Sequence, residues 1–134
     1  MKKILLFIIT ISITFIMCGC GKEKKYNYKL TVSSNSWSGW VADDDYQGDH
    51  VDEEFLIKKD TKYTVRKNHS FSFSFKVTKI TKDGITIKTN DALISDGNMA
   101  KLEYEFFLEL DKDYIFTSPT YDAGCTYYLK LQEA

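Results

Sequence analysis

Residues 70–77 read Ser-Phe-Ser-Phe-Ser-Phe-Lys-Val, and in this stretch every second side chain is apolar. Strict alternation with a period of two is typical of a β-strand that buries one face and exposes the other. A few residues later comes Lys82-Asp83-Gly84, whose Asp-Gly pair predicts a tight turn into a second strand from Ile85. The fold is therefore expected to be built from β-hairpins rather than helices.

The same alternation recurs along most of the chain, and helical spacing is nearly absent. Further strands are predicted at 26–32, 51–57, 62–66, 101–110, 114–117 and 125–131. Several short strands separated by polar turns are typical of an antiparallel sandwich or a small barrel. We therefore predict an all-β domain, a single antiparallel β-sandwich of seven or eight strands, with long loops at 33–50 and 90–100.

One turn motif points to a subclass of sandwich. The segment Asp122-Ala123-Gly124-Cys125-Thr126-Tyr127-Tyr128 resembles the tyrosine corner of immunoglobulin-like domains, with the tyrosine one residue late. The resemblance implies an immunoglobulin-like β-sandwich, in which Gly124 takes a turn conformation that other residues avoid.

The N-terminal segment has the features of an export signal. Lys2 and Lys3 precede an uncharged run of 14 residues from Ile4 to Met17. Crossing a bilayer takes ~20 apolar residues, so this run predicts a cleaved signal helix rather than a membrane span. The segment Met17-Cys18-Gly19-Cys20 resembles the lipobox of bacterial lipoprotein precursors, in which a small residue precedes the cysteine that is acylated.

The lipobox resemblance implies that Cys20 carries the lipid, because Gly19 is small whereas Met17, which precedes Cys18, is not. It further implies a signal peptide at 1–19, a lipidated cysteine with a short tether at 20–25, and the β domain at 26–134. The protein would then be anchored through palmitate on the extracytoplasmic side of the cell membrane. The alternatives are a secreted protein without lipid and a protein that keeps this segment as an uncleaved anchor.

Composition narrows the class of partner. The chain has 19 acidic and 18 basic residues and a formal net charge of −1, so a nucleic acid partner is not expected. If Cys18 leaves with the signal and Cys20 is acylated, Cys125 has no intramolecular partner and no disulfide framework can form. The single predicted domain must then depend on its apolar core.

Residues 43–54 hold seven carboxylates and can be aligned with the calcium loop of the EF-hand. The segment resembles that loop in Asp43, Asp45, Gly48 and Glu54, where calcium prefers oxygen ligands and the loop needs a sharp turn. The resemblance implies a calcium site, whose ligands would be Asp43, Asp45, Gln47, Asp49 and Glu54. The alternative, a solvated acidic loop without any cofactor, is the interpretation that we prefer.

Two tryptophans lie in a segment rich in serine and glycine, Ser36-Trp37-Ser38-Gly39-Trp40. Exposed indole rings there would stack on sugar rings or anchor a protein partner, and the neighbouring carboxylates would add polar contacts. The candidate contact residues are therefore Trp37, Trp40, Asp45 and Tyr46. The alternative is that the two indole rings fold back over the core as a lid.

No catalytic motif is recognised in the sequence. Cys125 with His50 or His69 is the nearest approach to a nucleophile and a base, but Cys125 alternates with Tyr127 and Leu129 on an apolar strand face. A cysteine in such a place is expected to be buried and unreactive. We therefore predict a non-enzymatic, membrane-anchored module that binds an extracytoplasmic protein or glycan. The alternative is a small inhibitor or immunity-type protein directed at a hydrolase.

Overall fold

The computed structural model describes residues 25–39, 48–95 and 102–134, and every regular element within them is a β-strand. All strand pairings are antiparallel. This confirms the predicted all-β class. The strands are β1 (Tyr28–Ser38), β2 (His50–Leu56), β3 (Lys62–Val65), β4 (Phe73–Ile80), β5 (Gly84–Ser95), β6 (Leu102–Glu109), β7 (Asp113–Thr117) and β8 (Ala123–Glu133).

None of these described residues lies in a helix, so this part of the chain contains no helix that is long and apolar enough to cross a membrane. The predicted signal helix at 1–19 and residues 20–24 of the tether, with Cys20, lie outside the described residues.

Hydrogen bonds join the eight strands into one sheet with the order β2-β1-β8-β7-β5-β4-β3, and β6 pairs with the other edge of β5. Strand β5 makes the sheet turn back on itself, because its first half pairs with β4 and its last residues, Ile94 and Ser95, pair with β7. The pairing with β6 is interrupted between Lys88 and Leu93, and such a bulge bends a strand. The hydroxyl of Thr89 shares its proton between the carbonyl of Asp91 in this bulge, at 2.7 Å, and the carbonyl of Tyr104 on β6, at 3.2 Å, and so holds the bend.

The bend produces a front layer, β2-β1-β8-β7, that faces a back layer, β3-β4-β5-β6. Aromatic rings meet between the layers, with centroids 4.9 Å apart for Phe73 and Tyr127 and 4.5 Å apart for Phe106 and Phe116. The predicted sandwich is therefore confirmed only in part. Two layers do face each other across one core, but they belong to a single curled sheet that is nearly barrel-shaped.

The alternation seen in the sequence matches the core. The inward side chains of the quoted strand, Phe73, Phe75 and Val77, are buried, and Cys125 is fully buried on β8. Two positions of the predicted apolar face of β6 differ, because Leu102 and Tyr104 are about half exposed where the strand extends past the core.

Strands occupy part of the two segments that were predicted to be loops. β1 continues to Ser38, β2 begins at His50, and β5 continues to Ser95. β1 lies between two partners, β2 and β8, and its backbone hydrogen bonds outweigh the weak strand preference of serine and asparagine.

The two ends of the layers carry different connections. At the proximal end, where residues 25–27 enter β1, Tyr28 accepts a backbone hydrogen bond from Ile57, and its hydroxyl donates to the carbonyl of Thr81. At the distal end lie the β3–β4 turn at 66–72, the β7–β8 connection at 118–122 and the start of β2. The N-terminus of the described domain is therefore far from the distal connections.

Candidate functional site

The outer face of the front layer presents side chains in rows, because the register aligns outward positions across four strands. One row is formed by Asp52, Ser33, Tyr128 and Ile115 on β2, β1, β8 and β7. The next row, one step toward the proximal end, is formed by Glu54, Thr31, Lys130 and Asp113. The residues between these rows along each strand point inward to the core.

A groove of about 750 Å³ crosses these two rows and is named here the front groove. Its apolar floor is exposed, since Tyr128 is 46% and Ile115 57% accessible to solvent. Its volume falls in the range of ~300–1,000 Å³ that is common for ligand sites. The strands beneath it, β1 and β8, each pair with a neighbour on both sides, so that only side chains are available to a ligand.

Two lysine–carboxylate ion pairs and one histidine–carboxylate hydrogen bond flank the groove. The pair between His50 Nε2 and Asp52 Oδ2 measures 3.0 Å, and both side chains are more than half exposed. The Ser33 hydroxyl, followed by His50, holds the pKa of Asp52 below its ordinary value. The other two pairs are Lys29 Nζ with Glu54 Oε2 at 3.9 Å and Lys130 Nζ with Asp113 Oδ1 at 3.8 Å.

His50 and Ser33 are close together but do not form a nucleophile and its base. The second ring nitrogen of His50, Nδ1, faces the side-chain oxygen of Asn35 at 2.5 Å. The Ser33 hydroxyl bonds the carboxylate of Asp52 instead of the imidazole. A serine nucleophile needs its hydroxyl to donate to the base, so this group holds side chains in place rather than activating Ser33.

Trp37, one of the predicted contact residues, lies on the same outward side of β1 as Ser33 and is partly exposed. It pairs with Gly124 on β8, and a Cβ atom at that glycine would lie 2.6 Å from an indole carbon. The same Cβ would lie 2.5 Å from the hydroxyl oxygens of Ser118 and Thr120, so the glycine makes room for the ring and for the β7–β8 connection. This role replaces the special turn conformation that the sequence suggested. Four residues of strand separate Trp37 from Ser33, which corresponds to ~13 Å.

The remaining predicted contact and calcium residues are only partly described. Trp40, Asp43, Asp45, Tyr46 and Gln47 lie outside the described residues.

The structure does not bring Asp49 and Glu54, the two described calcium candidates, together. Asp49 contacts Arg66 and His69 at the distal end, whereas Glu54 points outward beside Lys29. Five residues of extended chain separate them by ~16 Å. Among the residues described, no three acidic, histidine or cysteine side chains are grouped as a metal site would require.

A second group of polar side chains, named here the Arg66 cluster, ties the distal end together. The Arg66 side chain is fully buried, and its Nη2 contacts Asp49 Oδ2 at 3.2 Å. The same carboxylate oxygen contacts Nδ1 of His69 at 2.8 Å. The guanidinium also donates to the Ser34 hydroxyl at 3.0 Å and to the carbonyl of Ser70 at 2.8 Å.

The cluster holds a strained turn. Arg66, Asn68 and Phe71 all have positive φ angles, of 55°, 65° and 58°. This left-handed region costs a non-glycine residue ~1–2 kcal/mol. The backbone N–H of Arg66 donates to both carboxylate oxygens of Glu53, at 3.0 and 3.1 Å, so β2 stabilises the conformation that the turn requires.

Cys125 lies in the core below this cluster. Its thiol is free and buried, as predicted, and burial raises its pKa, although the positive charge of Arg66 acts in the opposite direction. His69 bonds Asp49 and His50 bonds Asp52, so neither histidine pairs with the cysteine.

Tyr127, next to Cys125 on the inward face of β8, also has a raised pKa, mainly because of burial. Its hydroxyl donates to the carbonyl of Phe71 in the β3–β4 turn. The tyrosine of a tyrosine corner bonds backbone only a few residues upstream, so this hydrogen bond is a different one. It joins the two layers because the inward alternation of β8 aims Tyr127 across the core.

Sequence reasoning missed the floor of the front groove and the arginine at the centre of the Arg66 cluster, although it named Asp49 as a calcium ligand. Tyr128 and Ile115 carried a usable signal, since each is a large apolar side chain at a position that alternation assigns to solvent. Arg66 carried none, because an arginine beside a polar turn is normally exposed.

No protein-family model matches the chain, and no curated protein or solved structure is significantly similar to it.

Proposed function

We propose that the protein is a non-enzymatic binding module of the cell envelope, anchored by a lipid on Cys20, that holds an extracytoplasmic protein or glycan. The observation that carries the proposal is the front groove, whose floor exposes Tyr128 and Ile115 side by side. Adjacent exposed apolar side chains with polar groups around them are a common feature of binding surfaces. The side chains stand on strands that are paired on both sides, which keeps the site preformed.

The position of the N-terminus supports anchoring through a short tether. Lys25 lies at the proximal end, and Trp37 with the Arg66 cluster lies at the distal end. A lipid close to the proximal end would hold the distal end away from the bilayer, and would leave the outer face of the front layer accessible from the side.

Binding is tested with immobilised purified protein and solubilised envelope fractions. Tyr128→Ala removes the ring from the groove, while Tyr121→Ala removes an 85% exposed tyrosine that does not line it. The proposal expects envelope material to be retained by the wild type and by Tyr121→Ala, and lost by Tyr128→Ala. Equal retention by all three proteins would contradict the proposed site.

Anchoring is tested separately by intact-mass analysis of the protein made in a bacterial host. The expected wild-type product begins at Cys20 and carries added acyl chains, which give stable attachment when there are two or more. Cys20→Ala should remove the added mass and the association with membranes. An unmodified Cys20 in the wild type would show that this part of the proposal is wrong.

The inhibitor or immunity-type alternative has one observation in its favour. The β3–β4 turn is held in a fixed conformation by the Arg66 cluster, and a rigid loop loses little conformational entropy when it docks into an active site. This alternative expects inhibition of an envelope hydrolase that Lys67→Ala, at an exposed position of the turn, abolishes. Tyr128→Ala would then leave the inhibition unchanged, which is the opposite of the result expected for groove binding.

A further inference from the structure

We infer that the ligand of the front groove is an uncharged glycan, with one sugar ring stacked on Tyr128. This inference rests on the proposed function, because it names the chemistry of the ligand at the same site. It is argued from three properties of the groove: the hydrogen-bonding state of its backbone, the pairing of its charges, and the arrangement of its rings and hydroxyl groups.

The backbone of β1 and β8 has no free edge to offer an extended peptide, and β2, the edge strand that also lines the groove, has its free edge on the side opposite β1. β1 is hydrogen-bonded to β2 on one side and to β8 on the other, and β8 is hydrogen-bonded to β1 and β7. A peptide strand gains affinity chiefly by pairing its backbone with an open sheet edge. On this face its N–H and C=O groups would lose water without finding backbone partners. A ligand recognised by side chains alone is therefore favoured.

The charges of the groove are already paired, which argues against a charged ligand. Glu54 and Asp113 are paired with lysines on the same face, and the carboxylate of Asp52 is hydrogen-bonded to the ring of His50. The carboxylate of Glu53, a fourth groove residue, accepts the backbone N–H of Arg66. A polycation would have to compete with these partners, and a polyanion would meet the carboxylates. The complementary ligand is neutral.

The remaining groups match the two sides of a sugar ring. A pyranose has an apolar face of C–H groups, which packs on an aromatic ring, and a rim of hydroxyl groups that both donate and accept hydrogen bonds. Tyr128 and Ile115 supply the apolar surface. Thr31 and Ser33 lie beside it, and because their hydroxyl groups donate to the Lys130 carbonyl and to the Asp52 carboxylate, their oxygens are left to accept hydrogen bonds from a sugar. Paired carboxylates and lysines at the margins can accept from or donate to further sugar hydroxyls.

Trp37 extends the same face toward the distal end. It lies on the outward side of β1, ~13 Å from the row that contains Tyr128. A linear oligosaccharide lying along the strands would reach both rings, whereas a single sugar would reach one. We therefore expect affinity to increase with the length of the glycan.

The probes for the experiment are chitopentaose, cellopentaose and maltoheptaose, which are neutral, with polylysine and polyglutamate as charged comparisons. Binding to the purified full chain is measured by calorimetry and by intrinsic fluorescence. The inference expects at least one neutral oligosaccharide to bind, with little change in affinity at about 0.5 M NaCl, where interactions between exposed charges are screened. Tyr128→Ala should weaken that binding about tenfold or more, and Tyr128→Phe, which keeps the ring, should retain most of it.

Two controls keep the result interpretable. Tyr121→Ala should bind like the wild type, because that tyrosine is outside the groove. Ile115→Ser, a second variant of the floor, should weaken binding while an unchanged melting temperature and circular dichroism spectrum show that the fold is intact.

The inference is overturned if none of the neutral oligosaccharides binds, or if Tyr121→Ala loses as much affinity as Tyr128→Ala. Binding of polylysine or polyglutamate that depends on Tyr128 and disappears in salt would also overturn it, but would leave the groove as a binding site. Loss of the proposed function is a separate result, in which envelope material is retained equally by the wild type and Tyr128→Ala.

Discussion

The contact between Arg66 and Asp49 makes an asymmetric prediction about stability. The arginine is 0% exposed, whereas the Asp49 side chain is 50% exposed. Removing the carboxylate with Asp49→Ala therefore leaves a buried guanidinium without its counter-charge. Removing the guanidinium with Arg66→Met leaves a carboxylate that water can reach. We expect Asp49→Ala to be the more destabilising substitution, although it removes the smaller side chain.

The size of each effect follows from the contacts that remain. Breaking a buried ion pair by removing one partner costs ~3–5 kcal/mol, and partial access of water to this pair puts Asp49→Ala near ~3 kcal/mol. In Arg66→Met the desolvation cost of the charge disappears, the Ser34 hydroxyl keeps its bond to the carbonyl of Val51 at 3.3 Å, and the exposed Ser70 can bind water. The expected loss is ~1–2 kcal/mol, equal to one or two net hydrogen bonds.

The two substitutions form a double-mutant cycle that is measured by urea denaturation. The double variant should cost about as much as Arg66→Met alone, which gives a coupling energy of ~3 kcal/mol, equal in size to the cost of Asp49→Ala. Unchanged m-values would show that the variants alter stability rather than the extent of unfolding. Lys67→Met, at an exposed neighbouring position, should change stability by less than ~0.5 kcal/mol.

The reasoning is refuted if Arg66→Met proves more destabilising than Asp49→Ala, or if the two effects are simply additive. Either result would mean that the guanidinium contributes through its packing, and that the carboxylate is not its energetic partner.

Three further predictions concern pH, calcium and packing. Burial raises the pKa values of Cys125 and Tyr127, so the folded state keeps protons that the unfolded chain releases as the pH rises. The free energy of unfolding should therefore be highest below about pH 8 and decrease through about pH 8.5–10, with a smaller initial decrease in Cys125→Ala. Denaturation series that show no dependence on pH in this range would contradict this. Calcium should raise the melting temperature no more than magnesium does, because Asp49 and Glu54 are held apart. A rise in melting temperature that only calcium produces, and that Glu54→Gln removes, would show that the segment binds calcium. Gly124→Ala should lower the free energy of unfolding by ~1–3 kcal/mol and shift the fluorescence of Trp37, because the added methyl group would lie 2.6 Å from the indole ring. An unchanged emission spectrum would contradict that packing.

The period-two pattern was sufficient to predict the fold class because most of its apolar positions bury a side chain. Phe73, Phe75 and Val77 occupy the core as the alternation requires, and the Asp-Gly turn before Ile85 joins two paired strands. The joining of the layers was not predictable in the same way. It depends on a bulge in β5 and on two residue pairs with β7, and neither changes the local pattern of apolar residues.

The candidate site was predictable in part. Trp37 was selected for its aromatic ring in a serine-rich segment, and it does lie on the outer face of the front layer. The front groove was missed, because its floor combines Tyr128 of β8 with Ile115 of β7, and their adjacency comes from strand register. Arg66 was missed because its burial depends on Ser34 of β1 and on Asp49, the residue before β2, and neither could be assigned to it from sequence distance.

The location of the groove on strands, rather than on the long connections, has a consequence for how the protein binds. The outward residues of β1 and β8 alternate with Val32 and Leu129, which are buried in the core, so the groove cannot change shape without disturbing that core. A close-packed interior resists such changes. Binding at the front groove should therefore require little rearrangement of the backbone, and selectivity must come from the fixed spacing of Tyr128, Ile115 and the hydroxyl groups between the ion pairs.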